Sequence, residues 1–200
     1  GRKGSFGRRH TRVRHLPEFG GEFPASTLAE DIDTPGEGQI RALVTSSGNP
    51  VLSAPNGPRL ERALEKLEFM VSVDIYLNET TRHAHVILPP TFGAERSHYD
   101  LAFHLLAVRN TVKYSPPAFE RLPSQRHDWE IFGELFRRMR RRGPLTKAAP
   151  WLERPIQKLA TPERMIDLGL RFGPYGQGYS PIGEGLNLEN VRRCVHGMDL

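Results

Sequence analysis

Three short strings bring glycine, neutral hydrogen-bonding side chains and carboxylate together in a way that suits a nucleotide: Gly48-Asn49-Pro50 through Ser53, Asp74 through Thr80, and Pro89-Pro90-Thr91. Glycine lets a backbone approach a diphosphate closely, Asn and Ser offer uncharged donors and acceptors, and a carboxylate accepts from ribose hydroxyls or a guanine edge. The familiar phosphate-binding signatures are missing. No Gly-x-x-x-x-Gly-Lys-Ser/Thr string occurs, and no Gly-x-Gly-x-x-Gly links a strand to a helix. A nucleotide would have to be held by another arrangement, and Asp74 also has a plain reading as a turn-former at a strand end.

Other reactive residues carry less. His83-Ala84-His85 would put two imidazoles on one side of a strand, with no third ligand close in sequence. His98 with Asp100, and His127 with Asp128, could be drawn as acid/base pairs, yet no Ser or Cys nucleophile motif accompanies them. The single cysteine, Cys194, excludes an internal disulfide and a four-thiolate cluster built by this chain alone. The sequence therefore assigns no catalytic residue and no metal ligand to this chain.

The elements that must position the three strings follow from periodicity. Gln39 to Thr45 reads as a buried strand ending in the Ser46-Ser47-Gly48-Asn49-Pro50 turn. From 58 to 67, Leu60, Ala63, Leu64 and Leu67 fall at the spacing of one helix face, behind Pro58 at the start. Phe69 to Val73 and Val86 to Leu88 are two further apolar runs, so strand, helix, strand and strand give a parallel sheet. The three strings then leave the carboxyl ends of its strands, where ligands of open α/β sheets sit. Leu105 to Val108 and Thr111 to Tyr114 are read as short strands. Helices are expected over 128–142, with Asp128 as its N-cap, and over 165–172, behind Thr161-Pro162-Glu163. The fold class is α/β, an open mainly parallel sheet with helices on both faces and irregular N- and C-terminal extensions. Its expected divisions are a basic, loop-rich leader over 1–38, the α/β domain over 39–145, and a helix with Gly-rich coil over 146–200.

Charge and composition narrow the function classes. The formal net charge of +5 is concentrated in Arg2, Lys3, Arg8, Arg9, Arg12 and Arg14, with a second cluster at Arg137, Arg138 and Arg140–Arg142. Such clusters can bind nucleic acid, but neither carries interleaved aromatic residues, and a solvated tail is the plainer reading. No apolar run of about 18 residues is present, so no membrane span is expected. No secretory signal is visible, which gives a cytoplasmic expectation. With 19 Gly and 17 Pro, long loops are expected. The start at Gly1 and the end at Leu200 both read as cuts in a larger protein, with 1–14 and much of 173–200 packing poorly away from other domains.

The strings Gly38-Gln39-Ile40-Arg41-Ala42-Leu43-Val44, Gly48-Asn49-Pro50-Val51-Leu52-Ser53, Leu64 to Asp74, Asn78-Glu79-Thr80-Thr81 and Val86-Ile87-Leu88-Pro89, in that order and spacing, resemble the molybdopterin oxidoreductases of the dimethyl sulfoxide reductase and formate dehydrogenase type. The likeness runs on through Glu95 and Arg109-Asn110 to Asp128-Trp129-Glu130-Ile131. It implies the third domain of such an enzyme, binding the guanosine end of one molybdopterin guanine dinucleotide that carries molybdenum or tungsten. Carried over residue by residue, it implies Gly48 and Asn49 at the diphosphate and ribose, Val73 and Asp74 at the nucleoside, Asp128 at the guanine edge, and Ser53 and Thr91 as further contacts. An iron–sulfur cluster is expected only in a missing N-terminal region. The expected partners are the remaining domains of the same enzyme and an electron-transfer subunit. One departure stands out: the family usually has Ala-Asp-Val where this chain has Ala84-His85-Val86, and Ser or Ala where Pro90 stands. The competing readings are a basic nucleic-acid-binding module and a stand-alone nucleotide-binding protein that has lost the chemistry.

Overall fold

The Leu60, Ala63, Leu64 stripe does form the inner face of a helix, and it organises the first half of the chain. The computed structural model describes residues 6–101, 103–140, 161–180 and 185–200. Expectations at Arg2, Lys3, Arg141, Arg142, Gly183 and Glu184 lie outside those residues. The chain divides into two units, Gly1–Pro90 and Thr91–Leu200, each described by itself.

In the first unit, β1 (Phe6–His10) pairs antiparallel with β2 (Pro17–Phe19), and the Phe6 and Phe19 rings meet at 4.5 Å. A short 3-10 turn leads into α1 (Leu28–Asp33). There follow β3 (Ala42–Ser46), α2 (Pro50–Ser53), α3 (Gly57–Leu64), β4 (Phe69–Val73) and β5 (Val86–Ile87). The sheet order is β3-β4-β5, all parallel, with Ala42 opposite Phe69, Ser46 opposite Val73 and Val71 opposite Val86. This is the α/β arrangement expected from the apolar runs, except that β3, expected to be buried, alternates exposed and half-buried residues because it is an edge strand of the sheet. Leu60, Ala63 and Leu64 of α3 bury against Ile32 and Ala29 of α1, Val51, Leu67 and Met70. Each large aliphatic side chain so buried contributes about 1.5–3 kcal/mol. Gly57 is required where α3 starts, because a Cβ there would lie 1.9 Å from the Val51 carbonyl oxygen.

The basic stretch near the N-terminus is not a free tail. Arg9 pairs with the buried Glu18 at 3.0 Å and Arg14 with the buried Glu30 at 2.8 Å. Arg12 donates to the Asp31 and Thr34 carbonyls, and the Val13 N–H to Asp31 Oδ1. The expectation of poor packing over 1–14 therefore fails for 9–14. The charges are visible in the sequence, but not their buried partners, Glu18 on β2 and Glu30 and Asp31 on α1.

In the second unit, β6 (His98–Tyr99) pairs antiparallel with β8 (Tyr114–Ser115), and β7 (Thr111–Val112) pairs antiparallel with β9 (Met198–Asp199). Its helices include α4 (Asp128–Arg140), α5 (Pro162–Phe172) and α6 (Leu188–Arg193). Thr161 caps α5 as expected, its hydroxyl accepting from the Arg164 N–H at 3.4 Å. Two expectations are corrected. The stretch read as a strand at 105–108 holds the end of a 3-10 turn, Phe103–Leu106, and the side chains of Leu106 and Val108 are exposed, with no core to face. The C-terminal stretch is not all coil: Leu186, Leu188 and Val191 bury with Val112 and Tyr114. Asn187 caps α6 by accepting from the Asn190 N–H at 3.0 Å.

Candidate functional site

Parallel register decides what meets at the carboxyl end of the sheet. Because Ser46 lies opposite Val73, the turn after β3 and the turn after β4 start side by side, and the Ser47 N–H donates to the Val73 carbonyl at 3.0 Å. Ser47 takes a left-handed backbone conformation, φ +49°, which folds the chain back before Gly48. Gly48 itself has ordinary backbone angles, and a Cβ on it would find nothing nearer than the Ser46 carbonyl oxygen at 3.6 Å. A Cβ on this glycine would meet only ordinary contacts, that oxygen and Pro50 Cδ at 4.0 Å, in contrast to Gly57.

Asn49 precedes α2 and is fixed from both ends of its carboxamide. Its Nδ2 donates to Glu79 Oε2 at 2.6 Å, and its Oδ1 accepts from the Thr80 hydroxyl at 2.7 Å. The Thr80 oxygen in turn accepts from the Val51 N–H at 3.1 Å, in a fully buried position. These bonds tie the turn after β3 to the turn after β4. The Glu79 carboxyl is held below its ordinary range, chiefly by the Asn49 hydrogen bond and also by its own backbone N–H. Ser53 lies on the exposed side of α2, its hydroxyl donating to the Asn49 carbonyl at 3.1 Å.

Val73 is fully buried at the end of β4. Asp74 follows it, also buried, with Oδ1 accepting from the Tyr76 N–H at 2.9 Å. Among the described residues nothing else hydrogen-bonds to the Asp74 carboxylate. Asn78 stiffens the same turn, its Oδ1 accepting from the Thr80 and Thr81 N–H groups at 3.0 and 2.9 Å. The first unit thus brings together Gly48, Asn49, Val73 and Asp74, together with Glu79 and Thr80. Asn78, Glu79 and Thr80 lie in the string expected to suit a nucleotide, but the sequence singles out none of them as a contact.

Thr91 and Asp128 belong to the second unit. Thr91 is buried, its hydroxyl 2.7 Å from His127 Nδ1, and its N–H donates to the Arg126 carbonyl at 2.9 Å. Asp128 pairs through Oδ2 with Arg96 at 2.7 Å, and its Oδ1 accepts from the Trp129 N–H at 2.8 Å. The expected N-cap is displaced by one residue. His127 is the cap, since its carbonyl accepts from the Ile131 N–H at 3.1 Å, and Glu130 reaches back to its N–H at 2.7 Å. Burial, and secondarily Arg121, push the His127 imidazole below its ordinary range, against the opposite pull of Glu130 and Asp128. Arg96, missed by sequence reading, sits in no recognisable motif.

The two histidines singled out for a metal diverge. His83 ends a 3-10 turn and faces Glu61 at 3.4 Å, while Nδ1 of His85 accepts from the Met70 N–H at 3.0 Å. The premise that both lie on one strand fails, and among the described residues no group of three or more His, Cys, Asp or Glu could hold a metal ion.

The model of the molybdopterin oxidoreductase family matches residues 11–138. The chain belongs to this family. It is 30% identical over 124 residues to the NADPH-Fe(3+) oxidoreductase subunit alpha of Geobacter sulfurreducens, covering 60% of this chain and 14% of that protein. Against the assimilatory nitrate reductase catalytic subunit of Bacillus subtilis it is 29% identical over 99 residues, 50% of this chain and 13% of that one. Against the F420-dependent formate dehydrogenase subunit alpha of Methanocaldococcus jannaschii it is 40% identical over 70 residues, 35% of this chain and 10% of that one. These relatives are oxidoreductases, and the matched regions span only a small part of their length. The family implies a molybdopterin cofactor with molybdenum or tungsten. The residues at the sheet end fit a phosphate-bearing, hydroxyl-bearing group of that kind. Gly48 leaves room for a close approach, and Asp74 keeps acceptor capacity for a hydroxyl. Among the described residues no helix of this family member is long and apolar enough to cross a membrane.

Proposed function

We propose that this chain is the part of a molybdenum or tungsten bis-molybdopterin guanine dinucleotide oxidoreductase that holds the guanosine diphosphate end of one pterin cofactor, and that it does no catalysis alone. The bound metal and pterin supply the electron transfer; the chain supplies position. The observation that carries the reading is the uncrowded backbone at Gly48, beside the carboxyl ends of two parallel strands, where a Cβ would meet only ordinary contacts, the Ser46 carbonyl oxygen at 3.6 Å and Pro50 Cδ at 4.0 Å. Gly48 and Asn49 take the diphosphate and ribose, and Val73 and Asp74 bound the nucleoside. Ser53 is assigned a lesser contact. In the second unit Thr91 and Asp128 are assigned separately, Asp128 as a carboxylate acceptor for paired donors of guanine. The partners are the remaining domains of the same enzyme and an electron-transfer subunit, and any iron–sulfur cluster belongs to the N-terminal part of that enzyme.

The nucleic-acid reading weakens because Arg9, Arg12 and Arg14 are engaged within the first unit. The test uses the full-length protein. Acid treatment should release GMP in proportion to its pterin and metal, and Asp74→Asn should lower all three together. Pterin and metal without GMP would overturn the dinucleotide assignment.

A further inference from the structure

A carboxylate stands where the proposed ligand is anionic. Glu79 lies beside the Gly48-Asn49 turn, and a negative charge there opposes a diphosphate by simple Coulomb repulsion. Its retention calls for a compensating role, and the hydrogen bonds define one. Thr80 Oγ1 accepts from the Val51 N–H, so its own proton points to Asn49 Oδ1. That settles the carboxamide orientation: oxygen to Thr80, nitrogen to Glu79. One Nδ2 hydrogen is thereby committed to Glu79, and the other remains available for a ligand.

We infer that Glu79 is a positioning residue: by accepting from Asn49 Nδ2 it holds the carboxamide, and with it the turn over 47–50, in the geometry that receives the cofactor diphosphate. This rests on the function proposed above. Thr80, buried and bonded on both sides, is the anchor; Glu79, only half-buried, sets the rotation of the amide. Removing the acceptor frees the amide to rotate and lets the turn sample other conformations, so a ligand must restore the order at its own expense. Removing the charge while keeping the acceptor leaves the positioning intact and relieves the repulsion. The two effects have opposite signs, which makes the roles separable.

The experiment follows cofactor release from the loaded full-length protein by pterin fluorescence, with the thermal midpoint of the cofactor-free protein as control. Glu79→Ala is expected to speed release by about tenfold, because the ligand must then hold the turn in order by itself. Glu79→Asp, too short to reach Asn49, should behave like Glu79→Ala. Glu79→Gln, which keeps a carbonyl acceptor, should release no faster than wild type. In an Asn49→Ala background the Glu79→Ala effect should vanish, because its target is gone. The cofactor-free midpoint should move little in the three Glu79 single variants, which a purely structural role would not allow. Release from Glu79→Ala and Glu79→Asp at or below the wild-type rate would show that only charge matters and would overturn the inference while leaving the proposed function standing. A wild-type protein that carries no GMP-bearing pterin would overturn both.

Discussion

The Met70 backbone N–H donates to Nδ1 of His85 at 3.0 Å, and the Met70 carbonyl accepts from the His85 backbone N–H at 2.9 Å. This two-way tie holds the segment entering β5 against β4. It also gives a physical account of His85 where the resemblance implies an aspartate: an aspartate carboxylate and an imidazole Nδ1 are both acceptors. Met70 is fully buried, so its N–H loses this partner at a cost if the acceptor goes.

The first prediction follows. His85→Phe, which keeps a ring beside Phe69 but removes the acceptor, should destabilise the protein by about 1–3 kcal/mol in urea unfolding. His85→Asp should cost far less. Equal losses for the two variants would show that ring packing, not the hydrogen bond, is what His85 contributes.

A second prediction concerns the C-terminal helices. Glu163 accepts from the Tyr114 hydroxyl at 2.5 Å and pairs with Arg192 at 3.0 Å. Burial, the largest single influence, pushes its carboxyl up, but the bonds from Tyr114, Arg192 and Ser97 outweigh it and hold it below the ordinary 4.5. A depressed carboxyl contributes stability above its unfolded value and loses it as pH falls toward the folded one. The urea midpoint should therefore drop between pH 6 and pH 3, and Glu163→Gln should flatten that drop. An unchanged slope in the variant would sink the assignment.

Much of this was legible in the sequence. Helix α3 and strand β4 appear where the spacing of Leu60, Ala63 and Leu64 and the run Phe69 to Val73 put them, because each has one unambiguous apolar face or run. Turn positions at the strand ends followed from the same pattern. What could not be read was partnership across distance. Glu79 and Asn49 are 30 positions apart, and Arg14 and Glu30 are 16 apart, with nothing local to mark either pair. The helix over Leu188–Arg193 escaped because its two buried residues, Leu188 and Val191, give less than two turns of period amid glycine.

The third prediction contrasts two glycines. Gly57→Ala forces a Cβ to 1.9 Å from the Val51 carbonyl oxygen, so α2 and α3 must move apart and the protein should lose several kcal/mol, at least the roughly 1–3 kcal/mol typical of overpacking. Gly48→Ala meets nothing closer than 3.6 Å and should leave the unfolding midpoint of the cofactor-free protein unchanged. Its effect should appear only as a reduced pterin and GMP content of the full-length protein. A large stability loss at Gly48 would mean that the glycine serves the turn and not a ligand.

Asp128 gives the last and most discriminating prediction. Its structural duties are modest. The helix cap is His127, the Trp129 N–H needs only one oxygen, and the pair with Arg96 is solvent-accessible on both sides, at 32% and 42% side-chain exposure. An exposed pair of that kind is worth about 0–1 kcal/mol. Asparagine at 128 keeps a carbonyl oxygen for Trp129 and weakens only the attraction to Arg96, so Asp128→Asn should leave thermal stability close to wild type. A guanine edge presents adjacent N–H donors that a carboxylate accepts together, whereas an amide meets one of them with a donor of its own. If Asp128 reads guanine, the full-length Asp128→Asn protein should lose dinucleotide occupancy by about tenfold or more, the scale of one charge-assisted bond replaced by an unpaired donor. Arg96→Met should give a smaller loss, since it removes the residue that holds the carboxylate in place but not the acceptor. Normal GMP and pterin content in Asp128→Asn would withdraw the guanine role from this residue and leave the sheet-end turns of Gly48 and Asp74 to be judged on their own variants.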